Sequence, residues 1–380
     1  MKISRRFAVL AIAGVLAFID AAPAQQGPRS RSSETVAKPR KAPKTVNEAD
    51  LPPVESEINK AKRERPDIPM GAPTFRSDVV TVTVDAAVID NKGRFIPNIP
   101  AGNFRILEDN VPQKLTSFEM GTAPMTVCLV IEWSGLYQDY WSETWYQTLT
   151  ASYGFLETLK PEDYVAVVAY DMRPEILSDF STDKRAAHQA MSRLQFAAFS
   201  ESNLYDAVVD TAERMSEIEG RKAIVLISSG VDTFSRMNFG QARRRIQMAG
   251  VPIYAIGLMQ SIRNIADARG YLSGPQRLDF LQADNQMRTF ARETGGMSFF
   301  PRFYGEFPTI FANIAHALRN QYALAYQPSN QAKDGSYRKI KVELVNPAND
   351  EKLRIVNEKG KSIKYQVIAK SGYTAPRPVE

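Results

Sequence analysis

The sequence predicts an α/β fold: a doubly wound, mostly parallel sheet inserted in a small antiparallel β-sandwich. Three observations carry this expectation. Between residues 125 and 321, nearly continuous apolar runs alternate with amphipathic segments of helical period, as expected for parallel strands buried on both faces and joined by crossover helices. Upstream, residues 78–120 hold short alternating runs broken by turn residues, which read as antiparallel strands. Downstream of residue 321 that alternating pattern returns. Chain ends often lie close together, so the two flanking halves can complete one β unit around an inserted domain.

The elements follow in order. Residues 78–90, "DVVTVTVDAAVID", give a first strand ended by the turn "NKG". "NFRILEDN" (103–110) and "QKLTSFEM" (113–120) give two more. The buried strands are "MTVCLVIEW" (125–133), "DYVAVVAYD" (163–171), "KAIVLISS" (222–229), "VPIYAIGL" (251–258) and "GMSFFP" (296–301). Pro174 before "EILSDF" (175–180) marks an edge strand, because proline cannot donate to a ladder. Helices are expected over 140–159, 181–194 with a Ser/Thr cap, 203–218, 238–250 with Gly250 as C-cap, 278–296 and 307–321. The last strands are "YALAYQP" (322–328), "YRKIKVELV" (337–345), "KLRIV" (352–356) and "KYQVIAKSGY" (364–373).

Composition bounds the function. The 380 residues are 44% hydrophobic and 10% aromatic, enough for a sizeable core. Lys2, Arg5 and Arg6 precede an apolar segment from Phe7 to Ile19, and Ala22-Pro23-Ala24 suits signal-peptidase cleavage. Residues 1–24 are therefore read as a secretory signal peptide, of Sec type by its short n-region, with "SRRF" as the hint of a twin-arginine alternative. Its removal takes the formal net charge from +6 to +4. The basic surplus that remains sits in residues 25–47, part of a Pro- and Ser-rich leader over 25–74, so the body is close to neutral. No nucleic-acid partner is expected, since phosphate neutralisation needs a basic face. No later run is long and uncharged enough to span a membrane. Export to the periplasm or the cell exterior is expected.

Chemistry concentrates where the strands end, because open α/β sheets bind ligands outside their carboxyl edge. Glu132, Trp133 and Ser134 follow the first buried strand. The loop "FSESNLYDA" (199–207) supplies Ser200, Ser202 and Asn203, and "SSGVDTFS" (228–235) supplies Ser229, Asp232 and Thr233. With "FRILEDNVPQKLTSF", "VCLVIEWSG", "NLYDAV", "AIVLISSGVDTFS", "FARETGG" and "SGYTAP", the chain resembles a von Willebrand factor type A domain protein over about residues 75–376. The secreted acidobacterial variety of that family is the nearest in motif.

Beside the signal peptide (1–24) and leader (25–74) read from composition, the resemblance implies β-sandwich halves 75–121 and 322–376 and a Rossmann-like type A domain over 122–321. It also implies a metal-ion-dependent adhesion site, written Asp-x-Ser-x-Ser, a loop Thr and a later Asp. Position by position these fall on Glu132, Ser134, Leu136, Ser202 and Ser229. Only Ser134 keeps the family's residue. Mg²⁺ needs near-octahedral oxygen ligands and leans on carboxylates; Leu136 offers no oxygen and Ser229 no charge. The site is read as degenerate, with no cofactor expected and Mg²⁺ as the one alternative. Asp232 is a further carboxylate near it.

Three further features bear on function. Trp133, Trp141 and Trp145, interleaved with Tyr137, Tyr140 and Tyr146, read either as packing of the loop and first helix or as a recognition surface rich in low-entropy aromatic anchors. The two histidines, His188 and His316, accompany no nucleophile elbow. One cysteine, Cys128, in an apolar run excludes an internal disulfide and reads as a core residue. The expected function is non-enzymatic adhesion to a protein or cell-surface ligand through Glu132, Trp133, Ser134, Ser202, Ser229 and Asp232. The alternatives are Mg²⁺-dependent adhesion, an envelope-polymer hydrolase and a structural envelope component.

Overall fold

The computed structural model describes residues 80–377 apart from 121–123, 136–148, 150–151, 195–198, 261–262, 265–273 and 357–359. The signal peptide, the whole leader, Leu136, Trp141, Trp145 and the three tyrosines among them lie outside the described residues. Residues 76–380 form one compact unit.

A six-stranded sheet runs through the middle of the chain. Its strands are β5 (Met125–Glu132), β6 (Tyr164–Tyr170), β7 (Pro174–Ser181), β8 (Arg221–Ser228), β9 (Ile253–Gly257) and β10 (Ser298–Phe299), in the order β10-β9-β8-β5-β6-β7. All pairs are parallel except β6 with β7, the edge strand expected from Pro174. The apolar runs are buried on both faces. Val127, Leu129 and Ile131 pack on one side, against α5 (Phe307–Arg319) and a helical stretch over 152–158. Cys128 and Val130 pack on the other, with α2 (Leu204–Ser216), α3 (Phe239–Ala249) and α4 (Gly274–Thr294).

Local chemistry sets the helix ends. The capping residue of α1 (Lys184–Met191) is Asp183, which accepts from Arg185 N, instead of the Ser or Thr expected. Asn238 and Gln241 form a reciprocal capping box on α3, and Gly250 closes it at φ 65°, the left-handed region glycine tolerates. Asn203 precedes α2 without a side-chain cap bond; that helix end is served from a distant loop.

The flanking segments pair directly with each other. One sheet has the order β13-β1-β11-β4, from β1 (Val82–Asp90), β4 (Leu115–Met120), β11 (Tyr322–Tyr326) and β13 (Tyr365–Ala369). The other has the order β14-β12-β2-β3, from β2 (Phe104–Glu108), β3 (Val111–Gln113), β12 (Tyr337–Leu344) and β14 (Gly372–Thr374). Val84, Val88, Ile106, Leu324 and Val342 from both sheets share one apolar cluster. The strand expected at 352–356 does not form. Lys352 and Val356 make only isolated bridges, to Val345 and Ser362. No helix among the described residues is long and apolar enough to cross a membrane.

Candidate functional site

The strand register brings the site together. In the β5–β6 ladder Glu132 lies opposite Tyr170, and β8 on the other side ends at Ser228. Gly230, at φ 78°, then turns the chain so tightly against α4 that a Cβ would sit 2.9 Å from the Ala283 carbonyl oxygen. That turn fixes Ser228 and Ser229 beside the end of β5.

Glu132 is fully buried, and its carboxylate is collected from all sides. Ser134 Oγ donates to Oε1 at 2.7 Å. Ser228 Oγ donates to Oε2 at 2.9 Å and the Ser229 amide to the same oxygen at 2.7 Å. Ser229 Oγ lies 2.8 Å from Oε2 and 3.0 Å from Oε1. The hydroxyls are themselves held. Tyr170 OH donates to Ser228 Oγ at 2.8 Å, Gly230 N donates to Ser228 Oγ at 2.8 Å, and Val231 N donates to Ser229 Oγ at 3.2 Å. Burial first, and then the Glu132 charge, push the Tyr170 hydroxyl well above its ordinary range, so it stays protonated and a donor.

A buried carboxylate without a cation is costly unless hydrogen bonds to its charged form replace water. Each such bond contributes roughly 1.5–3 kcal/mol, and several converge here. Sequence reasoning named Glu132, Ser134 and Ser229 but missed Ser228 and Tyr170 as partners. The signal for Ser228 was present, since it directly precedes Ser229; Tyr170 ends its strand, but its register with Glu132 is set only in the folded sheet.

The other expected residues stand around this node. Ser202 is buried, and its hydroxyl makes no hydrogen bond of ordinary geometry; its backbone is tied to the Asp232 loop, with Ser202 N donating to Thr233 Oγ1 at 2.9 Å and Thr233 N donating to Ser202 O at 2.8 Å. Trp133 donates its amide to the Tyr170 carbonyl at 2.6 Å and packs, half-buried, against the core. Asp232 is engaged by donors other than those on Glu132. Its Oδ1 accepts from Tyr205 N at 3.2 Å and from the Ser235 hydroxyl, so it completes the open N-terminus of α2. Of the six residues, Glu132, Ser134, Ser202 and Ser229 are buried, and Trp133 and Asp232 reach the surface.

These residues do not fit a resident divalent cation. Glu132 is the single carboxylate of the node, and hydroxyl and amide donors occupy both its oxygens. Asp232 is committed to a helix end. Among the described residues no three His, Cys, Asp or Glu side chains converge as a metal-binding group.

No protein-family model matches the chain, and no curated protein matches it in sequence. The chain is similar to several solved structures. The von Willebrand factor domain of the type V pili tip protein Mfa5 from Porphyromonas gingivalis is 15% identical, over 51% of this chain and 94% of that one, with a TM-score of 0.39. A von Willebrand factor type A protein from Catenulispora acidiphila is 12% identical, over 79% and 76%, at 0.40. Proximal thread matrix protein 1 from the mussel byssus is 11% identical at 0.41, over 56% of this chain, which spans about half (51%) of that protein.

Proposed function

We propose that this protein is an exported, non-enzymatic adhesion or binding protein whose type A-like α/β domain, inserted in a β-sandwich, presents the carboxyl edge of its sheet to a protein or cell-surface ligand without using a metal. One observation carries the metal-independent part: the Glu132 carboxylate is satisfied internally by Ser134, Ser228 and Ser229. In this reading the buried quartet Glu132, Ser134, Ser202 and Ser229 braces the strand ends from beneath. Trp133 and Asp232 are the members that meet the ligand.

Catalysis has no supporting geometry among the described residues. Ser134 Oγ lies 2.7 Å from a carboxylate, yet Ser134 is only 2% exposed and no substrate reaches it. His188 stacks on Tyr153 at 4.0 Å between ring centres, and His316 is engaged by Asn320. Neither offers a base to a nucleophile.

The test is adhesion of the mature chain, residues 25–380, to intact producing cells, with and without EDTA, beside thermal melts in Mg²⁺ or Mn²⁺. The expected outcome is adhesion unaffected by EDTA, no rise in Tm with either ion, and loss of adhesion in Trp133→Ala/Asp232→Asn. A ligand that binds only the native state must raise Tm. A rise abolished by Glu132→Ala would overturn the metal-independent reading, and adhesion unchanged in the double variant would move the contact face.

A further inference from the structure

One opening in the α/β unit lies away from the strand ends, under the edge of the sheet. A cavity of about 320 Å³ sits between edge strand β7 and α2, with Cys128 and Ala166 among the residues at its floor. Its existence follows from two local features. Cys128 on β5 and Ala166 on β6 are small side chains on the α2-facing side of the sheet, where Val130 and Val168 fill the next positions. The β6–β7 register also shifts twice, between Val165 and Val167 and between Val167 and Val168. Such bulges bend an edge strand out of the sheet, and Phe180 of β7 only partly covers the gap. Ile176, also on β7, is 47% exposed beside it.

The lining inside is apolar, and Cys128 belongs to it: burial pushes its thiol up to about 12, so it is a neutral wall and no nucleophile. Charge is confined to the mouth, where Asp179 and Asp210 face a single guanidinium, Arg214. Burial first, then Asp206 and Glu213, raise the Asp210 carboxyl against the pull of Arg245 and Arg214, and Glu213 already holds Arg245 through two hydrogen bonds of 2.8 and 2.7 Å. The mouth therefore favours a cation over an anion, and the volume suits a ring with a short tail, since a cavity of about 150 Å³ already accommodates benzene.

We propose that this cavity is a binding site for a small organic cation, with an aromatic or branched aliphatic body against Cys128, Ala166 and Met215 and one protonated amine at Asp179 and Asp210. The site is separate from the carboxyl edge and stands or falls independently of the adhesion reading. Its occupant is a free small molecule.

Saturation-transfer NMR on the mature chain tests it with three probes of one shape: 2-phenylethylamine, 2-phenylethanol and 3-phenylpropionate. The amine is expected to bind about threefold to fivefold more tightly than the alcohol, the effect of one exposed ion pair, and the acid to give no signal. Ala166→Leu fills the floor and should abolish amine binding. Asp210→Asn, an exposed change that keeps the fold, should bring the amine down to the level of the alcohol. No saturation by the amine overturns the proposal, as does equal binding of all three probes or undiminished binding in Asp210→Asn.

Discussion

Two buried glutamates, one in each half of the architecture, solve the same problem with different groups. Glu132 ends a parallel strand and is met by three serines and an amide, with Tyr170 OH 3.5 Å away and no cation among the described residues. Glu108, on β2, is met by Tyr326 OH at 2.6 Å and Tyr373 OH at 3.1 Å, with Arg338 Nη1 at 3.9 Å. Arg338 is 2% exposed and is anchored in turn on the Ala332 carbonyl at 3.0 Å and on Asp334 at 3.4 Å. Tyr326 comes from the opposite sheet, so the Glu108 node locks two sheets together. The Glu132 node instead gathers short side chains from neighbouring strand ends. One binds layers; the other shapes an edge.

The comparison is most exposed to Arg338→Met. Removing one member of a buried ion pair leaves an uncompensated charge and costs about 3–5 kcal/mol, toward the lower end here because the Nη1–Oε1 distance is 3.9 Å. Urea unfolding that showed a loss no larger than a surface mutation's would mean Glu108 is held by its tyrosines alone. Ser229→Ala comes next. It removes one charge-assisted hydroxyl while the Ser229 amide and Ser228 remain, so the expected loss is roughly 1.5–3 kcal/mol by the same measurement. A loss as large as that of Arg338→Met would make the edge node a structural lock as well.

Smaller effects sharpen the division between interior and rim. Cys128 should resist iodoacetamide in the native chain at pH 8 and react fully in denaturant, because burial lifts its thiol to about 12; fast native labelling would show that the thiol ionises far more readily than its burial implies. Asp232 gives the pH test. Burial raises its carboxyl, ahead of the Ser235 and Tyr205 hydrogen bonds that act the other way. A folded value above the unfolded one makes its contribution fully present below the unfolded pKa and lost as pH climbs through the folded one. Asp232→Asn, which can still accept from Tyr205, should therefore gain on the parent between acid and neutral pH. A melt series in which the variant loses ground over that range would contradict the assignment.

Much of this was legible in the residues. Period-two and apolar runs placed twelve of the fourteen strands within a few positions, left β3 in the gap between two expected strands and ran β13 and β14 together as one, and Pro174 marked the edge strand. The run at 352–356 misled, because two flanking bridges satisfied its backbone without a ladder. The Ser or Thr cap expected at the start of α1 was not the one used, because the backbone geometry there places Asp183 at the cap.

At the site the sequence alone determined which chemical groups stand at the strand ends: one carboxylate at 132, a serine pair at 228–229, and no second acid in the positions that would hold a cation. That much follows from strand endings, which period and burial fix locally. The partners were decided by tertiary structure. Register set Tyr170 against Glu132, the Gly230 turn aimed both serine hydroxyls inward, and the loop after β8 carried Asp232 to the N-terminus of α2 instead of to Glu132. Hydrogen bonds between residues distant in sequence depend on angles and distances of a few tenths of an ångström, and only the packed sheets and helices set those.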